Sequence, residues 1–217
     1  MTQAKICGLT TPEALDAALD GGAAYVGAVI FPKSPRHIDI LAARTLFERA
    51  RGRAQVVAVL VDPDDELLTE VGLILRPDLI QLHGAETTER CAEVARLTRA
   101  GIIKAVSVSG PSDVEGALPY EAVVKHLMFD ARPPEGAALP GGVGARFDWS
   151  VLSGRAFDKP WFLAGGLDPA NVAEAIAVTG APLVDVSSGV ESAPGVKEPA
   201  LILAFLKAVH AVSPRQE

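Results

Sequence analysis

Two residues of this chain could move protons at one site: Cys7, at the end of the apolar run AKICG (4–8), and Asp130, in LMFDAR. A free thiol ionises near pH 8.5, so roughly a few per cent is thiolate at neutral pH before any tuning. Cys7 can therefore serve as nucleophile or base, or it can be a small buried hydrophobe, the commonest fate of a free cysteine. Cys91 sits inside a helical pattern and takes that second reading. Asp130 closes a strand-like run, where a carboxylate either caps the next turn or acts as an acid. A thiol and a carboxylate across one mouth make a workable base and acid, because their surroundings can push the two pKa values apart.

A second group of residues suits an anion. Gly144 in GGVG (141–144), Gly165 and Gly166 in AGGL (164–167) ahead of DPANV, and Ser187, Ser188 and Gly189 in SSG give glycine-lined backbone and hydroxyls after three successive strand-like runs. Peptide N–H groups at a helix start bind phosphate, and glycine lets the anion approach. Arg36, in the proline-stiffened FPKSPRHI, is either a solvated charge or a fork for a carboxylate. His83, in QLHG, is either a satisfied inward histidine or a group packed near substrate. Side chains alternate along a strand, so Lys5 shares a face with Cys7, Gln81 with His83, and Asp185 with Ser187. Gly8 leaves room beside the thiol for a ligand to approach the backbone. The four histidines, His37, His83, His126 and His210, show no metal-ligand spacing, so no metal is expected.

These residues need a frame, and the sequence supplies a regular one. Eight short apolar or β-branched runs begin at residues 4, 24, 55, 78, 102, 126, 161 and 183, with helical segments between them. TPEALDAALDGG has Thr11 as N-cap, Pro12 at the first helical position and Gly21–Gly22 as a stop; DPANVAEAIAVTG repeats the recipe with Asp168, Pro169 and Gly180. Alternating strand and helix imply a parallel sheet, and eight such units in 217 residues fit an α/β class fold, a single (β/α)8 barrel domain over 1–217. A doubly wound open sheet is the runner-up. The tail from about residue 212 reads as frayed. In such a barrel the chemistry lies at the C-terminal strand ends, where Cys7, Arg36, His83, Asp130 and Asp185 all fall.

Composition narrows the partners. A formal net charge of −7 repels nucleic acid at long range, so any anion site must be built locally. No run reaches the roughly 18 apolar residues of a membrane span, and Met1 leads straight into a strand without a basic-then-apolar leader. The expectation is a cytoplasmic protein that works on a small molecule, with no nucleic-acid or membrane partner and two free thiols.

Taken in order, KICGLT, FPKSPR, QLHG, the FD of the sixth strand, GGVGARFDW, LAGGLDPANV and DVSSGVESAPGVKE resemble the phosphoribosylanthranilate isomerase family of tryptophan biosynthesis, from residue 5 to about residue 198. The resemblance implies an Amadori rearrangement of N-(5-phosphoribosyl)anthranilate to 1-(2-carboxyphenylamino)-1-deoxyribulose 5-phosphate, without cofactor, by a monomer or homodimer. It implies Cys7 as general base, Asp130 as general acid and Arg36 as the grip on the anthranilate carboxylate. Gly144, Gly165, Gly166, Ser187, Ser188 and Gly189 match its phosphate loops, and His83 and Asp185 join them as candidate substrate contacts. Three positions depart from the family pattern: the third strand VAVLVD (57–62), Val143, which brings no hydroxyl to the sixth loop, and Glu198 in place of a usual aspartate. The alternatives are another phosphate-binding barrel such as indoleglycerol phosphate synthase, whose strand-end lysines and glutamates fit poorly here, and a non-catalytic sugar-phosphate binder.

Overall fold

A computed structural model describes residues 1–132, 136, 141 and 144–212. Its eight parallel strands, β1 (Gln3–Cys7), β2 (Tyr25–Val29), β3 (Gln55–Leu60), β4 (Leu79–Leu82), β5 (Gly101–Val108), β6 (His126–Ala131), β7 (Phe162–Leu163) and β8 (Leu183–Val186), close into a barrel in sequence order. Closure brings Lys5 of β1 level with Asp185 of β8 on one side and Tyr25 of β2 on the other.

The helices α1 (Pro12–Asp20), α2 (Ile40–Phe47), α3 (Asp65–Ile74), α4 (Thr88–Thr98), α5 (Pro111–Ala117), α6 (Val172–Thr179) and α7 (Pro199–Ala211) cover the outside. α1 forms as its sequence dictates: Thr11 Oγ1 accepts the Ala14 N–H at 3.3 Å, Pro12 opens the first turn, and Ala14, Leu15, Ala18 and Leu19 make the buried stripe. No helix among the described residues is long and apolar enough to cross a membrane.

Two apolar layers follow from strand alternation. One lies between strands and helices; the other fills the barrel floor with Tyr25, Val57, Leu79, Ile103, Met128, Phe162 and Leu183. Each large floor side chain contributes about 1.5–3 kcal/mol by leaving water. His126 is the polar ring packed among the floor's aromatics, and toward the mouth stand Lys5 and Cys7 on β1, Gln81 on β4, Asp130 on β6 and Asp185 on β8. The floor thus forms a dry base on which the polar mouth is set.

Four details differ from the sequence expectation. α6 starts at Val172 with Asn171 as N-cap, not at Pro169, because Asp168 and Asn171 close a side-chain turn of their own. The helix α5 had no clear apolar period to announce it. After β6 the described residues hold a short 3-10 turn, Trp149–Leu152, in the place of a helix. Beyond β8 the chain forms an antiparallel hairpin, β9 (Glu191–Ala193) with β10 (Val196–Lys197). The expected frayed tail after 212 and the positions Gly142 and Val143 lie outside the described residues.

Candidate active site

The strand ends converge on one cavity of roughly 800 Å³, the open solvent at its mouth included. Its wall contains Cys7, Arg36, His83, Asp130, Gly144, Gly165, Gly166, Asp185, Ser187 and Ser188, so ten of the eleven expected site residues come together. Gly189 does not line it. A Cβ there would lie 1.9 Å from the Leu167 carbonyl oxygen, so this glycine lets the loops after β7 and β8 pack against each other.

Cys7 is buried, with Val29, Val59 and Phe31 as its apolar neighbours. Below it Lys5, fully buried, donates from Nζ to Asp185 Oδ1 at 2.9 Å. Burial works against the Lys5 ammonium, yet Asp185 and Cys7 together hold it above the ordinary lysine value. Burial likewise pushes the Cys7 thiol up; the Lys5 charge and hydrogen bond oppose that, while the Asp185 carboxylate adds to it. Lys5 is thus the main group that favours a thiolate here, with a smaller contribution from Lys197, although desolvation prevails. Cys91 has no comparable help: its burial takes it to about 11, which makes it inert.

Across the mouth, Asp130 divides its two oxygens. Oδ1 accepts the Ala131 N–H at 2.9 Å, a local cap, and Oδ2 lies 3.2 Å from His83 Nε2. The cap and the functional reading of Asp130 are therefore compatible. His83 Nε2 and Asp130 Oδ2 meet at contact distance without hydrogen-bond alignment, and Gln81 Oε1 is also buried without a partner. Gln81 Nε2 sits 3.0 Å from His83 Nδ1. With the Gln81 amide donating, Nδ1 accepts and the imidazole N–H points toward an Asp130 carboxylate. With the amide turned over, Nδ1–H donates to Oε1 and Nε2 is free to accept the proton of an Asp130 acid. Gln81 and His83 can thus match Asp130 in either protonation state. A Cβ on Gly141 would fall 2.7 Å from both Asp130 Oδ2 and His83 Nε2, so backbone at a glycine covers this pair.

Arg36 is buried and pinned. Its Nε and Nη2 donate to Glu191 Oε1 and Oε2 at 2.7 and 2.8 Å, and Lys197 Nζ donates to Glu191 Oε1 at 2.6 Å. Burial alone would raise the Glu191 carboxyl, but the two cations hold it below its usual range. Gly8 has another use than expected: a Cβ there would lie 2.9 Å from Arg36 Cδ, so the space beside Cys7 holds the arginine stem, not a ligand. Glu191 and Lys197 escaped the sequence reading. Their signal was the Pro-Gly turn in ESAPGVK, which marks a hairpin bringing both ends beside one strand end.

The loops after the last strands crowd together. Gly165 and Gly166 have φ of 87° and 61°, and a Cβ would meet Ala131 N at 2.5 Å or Arg146 Cγ at 2.3 Å, so no other residue fits either place. Gly144, at φ 74°, faces Ser188 Oγ, and Ser187 Oγ donates to the Cys7 carbonyl at 3.2 Å. No cluster of three or more His, Cys, Asp or Glu able to hold a metal ion occurs among the described residues.

Fold and site together define a (β/α)8-barrel enzyme with a thiol and a carboxylate over one cavity. The model of the family "N-(5'phosphoribosyl)anthranilate (PRA) isomerase" matches residues 4–208. An N-(5'-phosphoribosyl)anthranilate isomerase of Caulobacter sp. (strain K31) is 59% identical over 213 residues, 98% of this chain and 100% of that protein. The crystal structure of phosphoribosyl anthranilate isomerase from Thermotoga maritima superposes with a TM-score of 0.87 at 36% identity, covering 97% of this chain and 99% of that one. A second such structure, in complex with reduced 1-(o-carboxyphenylamino)-1-deoxyribulose 5-phosphate, gives a TM-score of 0.83 at 35% identity over the same shares. The chain belongs to the phosphoribosylanthranilate isomerase family.

Proposed function

We propose that this chain is a cytoplasmic, single-domain isomerase that converts N-(5'-phosphoribosyl)anthranilate to 1-(2-carboxyphenylamino)-1-deoxyribulose 5-phosphate in tryptophan biosynthesis, with Cys7 as base and Asp130 as acid. The observation that carries the residue assignment is the pairing of two unlike groups over one cavity: a thiol with a buried ammonium below it, and a carboxyl matched by an imidazole.

Asp130, as the acid, delivers a proton to the ribose ring oxygen; the C1–O bond breaks and leaves a protonated Schiff base. The Cys7 thiolate takes the proton from C2, and the electron pair moves to give an enolamine, which tautomerises to the ketone. The substrate phosphate lies on the backbone of Gly144, Gly165, Gly166 and Ser187 and the hydroxyl of Ser188. The aryl ring rests on Val29, Phe31 and Val59, and its carboxylate meets Arg36.

Cys7→Ala and Asp130→Asn are each expected to lower turnover by at least about a hundredfold, the usual worth of a positioned proton donor or acceptor. Anthranilate fluorescence with freshly made substrate reads this directly, and phosphate-ligand affinity is expected to persist. Near-normal turnover in both variants would overturn the assignment.

A further inference from the structure

The hairpin β9–β10 touches the site at three points. Glu191 engages the side-on edge of Arg36 through two hydrogen bonds, which leaves three of the five guanidinium N–H groups without a partner among the described residues, two of them on the Nη1–Nη2 edge. Lys197 Nζ, besides its bond to Glu191, donates to the Ser187 carbonyl at 2.9 Å and to Ser187 Oγ at 3.1 Å. A Cβ on Gly195, at the hairpin turn, would lie 2.4 Å from the Pro35 carbonyl oxygen, so the turn is packed onto the backbone that carries Arg36.

The guanidinium is therefore fixed along its stem by Gly8, along one edge by Glu191, and at its backbone by Gly195. Arg36 and Lys197 against Glu191 leave one net positive charge, in a chain whose overall charge is −7. An anion that reaches this edge finds parallel donors already oriented, and no side-chain ordering remains to oppose binding.

We propose that the β9–β10 hairpin sets substrate specificity, with Glu191 as a positioning residue that holds Arg36 end-on toward the aryl carboxylate. This rests on the reading of Arg36 given under Proposed function. Glu191 touches no reacting atom; it acts through Arg36, and Lys197 ties it to the loop that bears Ser187.

The test compares two competitive inhibitors of the full chain: the reduced product and its counterpart without the ring carboxylate. Glu191→Gln keeps the shape and one acceptor but removes the charge. It is expected to weaken the carboxylate-bearing inhibitor by roughly 10- to 100-fold, the worth of a charge-assisted hydrogen bond, and the other by less than about threefold. KM for substrate should rise more than kcat falls, and in an Arg36→Ala background Glu191→Gln should add no carboxylate-selective loss. Equal losses for both inhibitors, or none, would overturn the positioning role. If Arg36→Ala itself weakens both equally, the reading of Arg36 fails instead, so the two failures are distinct. Should Glu191→Gln not fold, the charge-balanced pair Glu191→Gln/Lys197→Met reads the same inhibitor ratio.

Discussion

Two buried lysine–carboxylate pairs of the same length lie on opposite faces of the sheet, and they do different things. Outside the sheet, Lys104 of β5 meets Glu86 at 2.9 Å, and every part of that pair is occupied: Nζ also donates to the Gly84 carbonyl at 2.7 Å, while Glu86 accepts the N–H groups of Asp62 and Gly84. Inside, Lys5 meets Asp185 at the same 2.9 Å, but the rest of its ammonium faces the Cys7 thiol. A fully satisfied pair locks backbone; a partly satisfied one keeps a charge available to a neighbour. The outer pair shapes the loops after β3 and β4, and the inner pair shapes the chemistry of a thiol.

The contrast can be broken first at the outer pair. Lys104→Met leaves the Glu86 carboxylate buried without its cation, and a loss of about 3–5 kcal/mol in unfolding free energy is expected. Urea denaturation measures it, and the pH–rate profile should keep its midpoint, since Lys104 does not line the cavity. A shifted midpoint would mean that both pairs tune the site.

The inner pair should show the reverse emphasis. Removing the Lys5 charge takes away the main influence that lowers the Cys7 thiol and leaves Asp185, which raises it. In Lys5→Met the limb on which kcat rises with pH should move to higher pH, and the rate at pH 7 should fall by about a hundredfold, the lower end of what a general base is worth. A profile that keeps its midpoint while the rate falls would make Lys5 a structural group only.

How far this contrast could be read from sequence depends on what each contact requires. Alternation placed Lys5 beneath Cys7 and Asp185 with Ser187, because period 2 is a local rule. That Lys5 and Asp185 are partners depends on the register of the first strand against the last, 180 residues apart, which no local pattern carries. Cys7, Asp130 and Arg36 were legible as strand-end or loop residues, each with a structural reading beside the functional one. Gly8 was misread because a glycine announces close approach without saying what approaches. Asp168-Pro169 looked like a helix start because the same two residues open an Asx turn, and only the side chain of Asn171, donating to the Gly166 carbonyl at 2.9 Å, decides between them.

The same interior holds a histidine with no counter-charge among the described residues, and it sharpens the comparison. His126 lies on the floor, edge-on to Phe162 at 5.5 Å between ring centroids, with Nδ1 2.7 Å from the Pro160 carbonyl and Nε2 without a partner among the described residues. Burial lowers its pKa below 6.5, and the Pro160 carbonyl only partly offsets that. Lys5 keeps its charge because Asp185 is beside it; His126, lacking such a partner, sheds its own. The sign follows from linkage. Above pH 6.5 the ring is neutral in both folded and unfolded chains, so it costs nothing; as pH falls below 6.5 the unfolded chain takes up a proton that the folded one refuses, and stability declines until the lowered folded pKa is reached. His126→Phe keeps the ring stack and removes the titration. Its unfolding free energy at pH 7.5 should stay within about 1 kcal/mol of the parent, the worth of one neutral hydrogen bond, while the part of the acid loss that begins at pH 6.5 should disappear. Urea midpoints at pH 7.5, 6.5 and 5.5 measure the difference, and an unchanged slope between the last two would show that the floor accepts the charge.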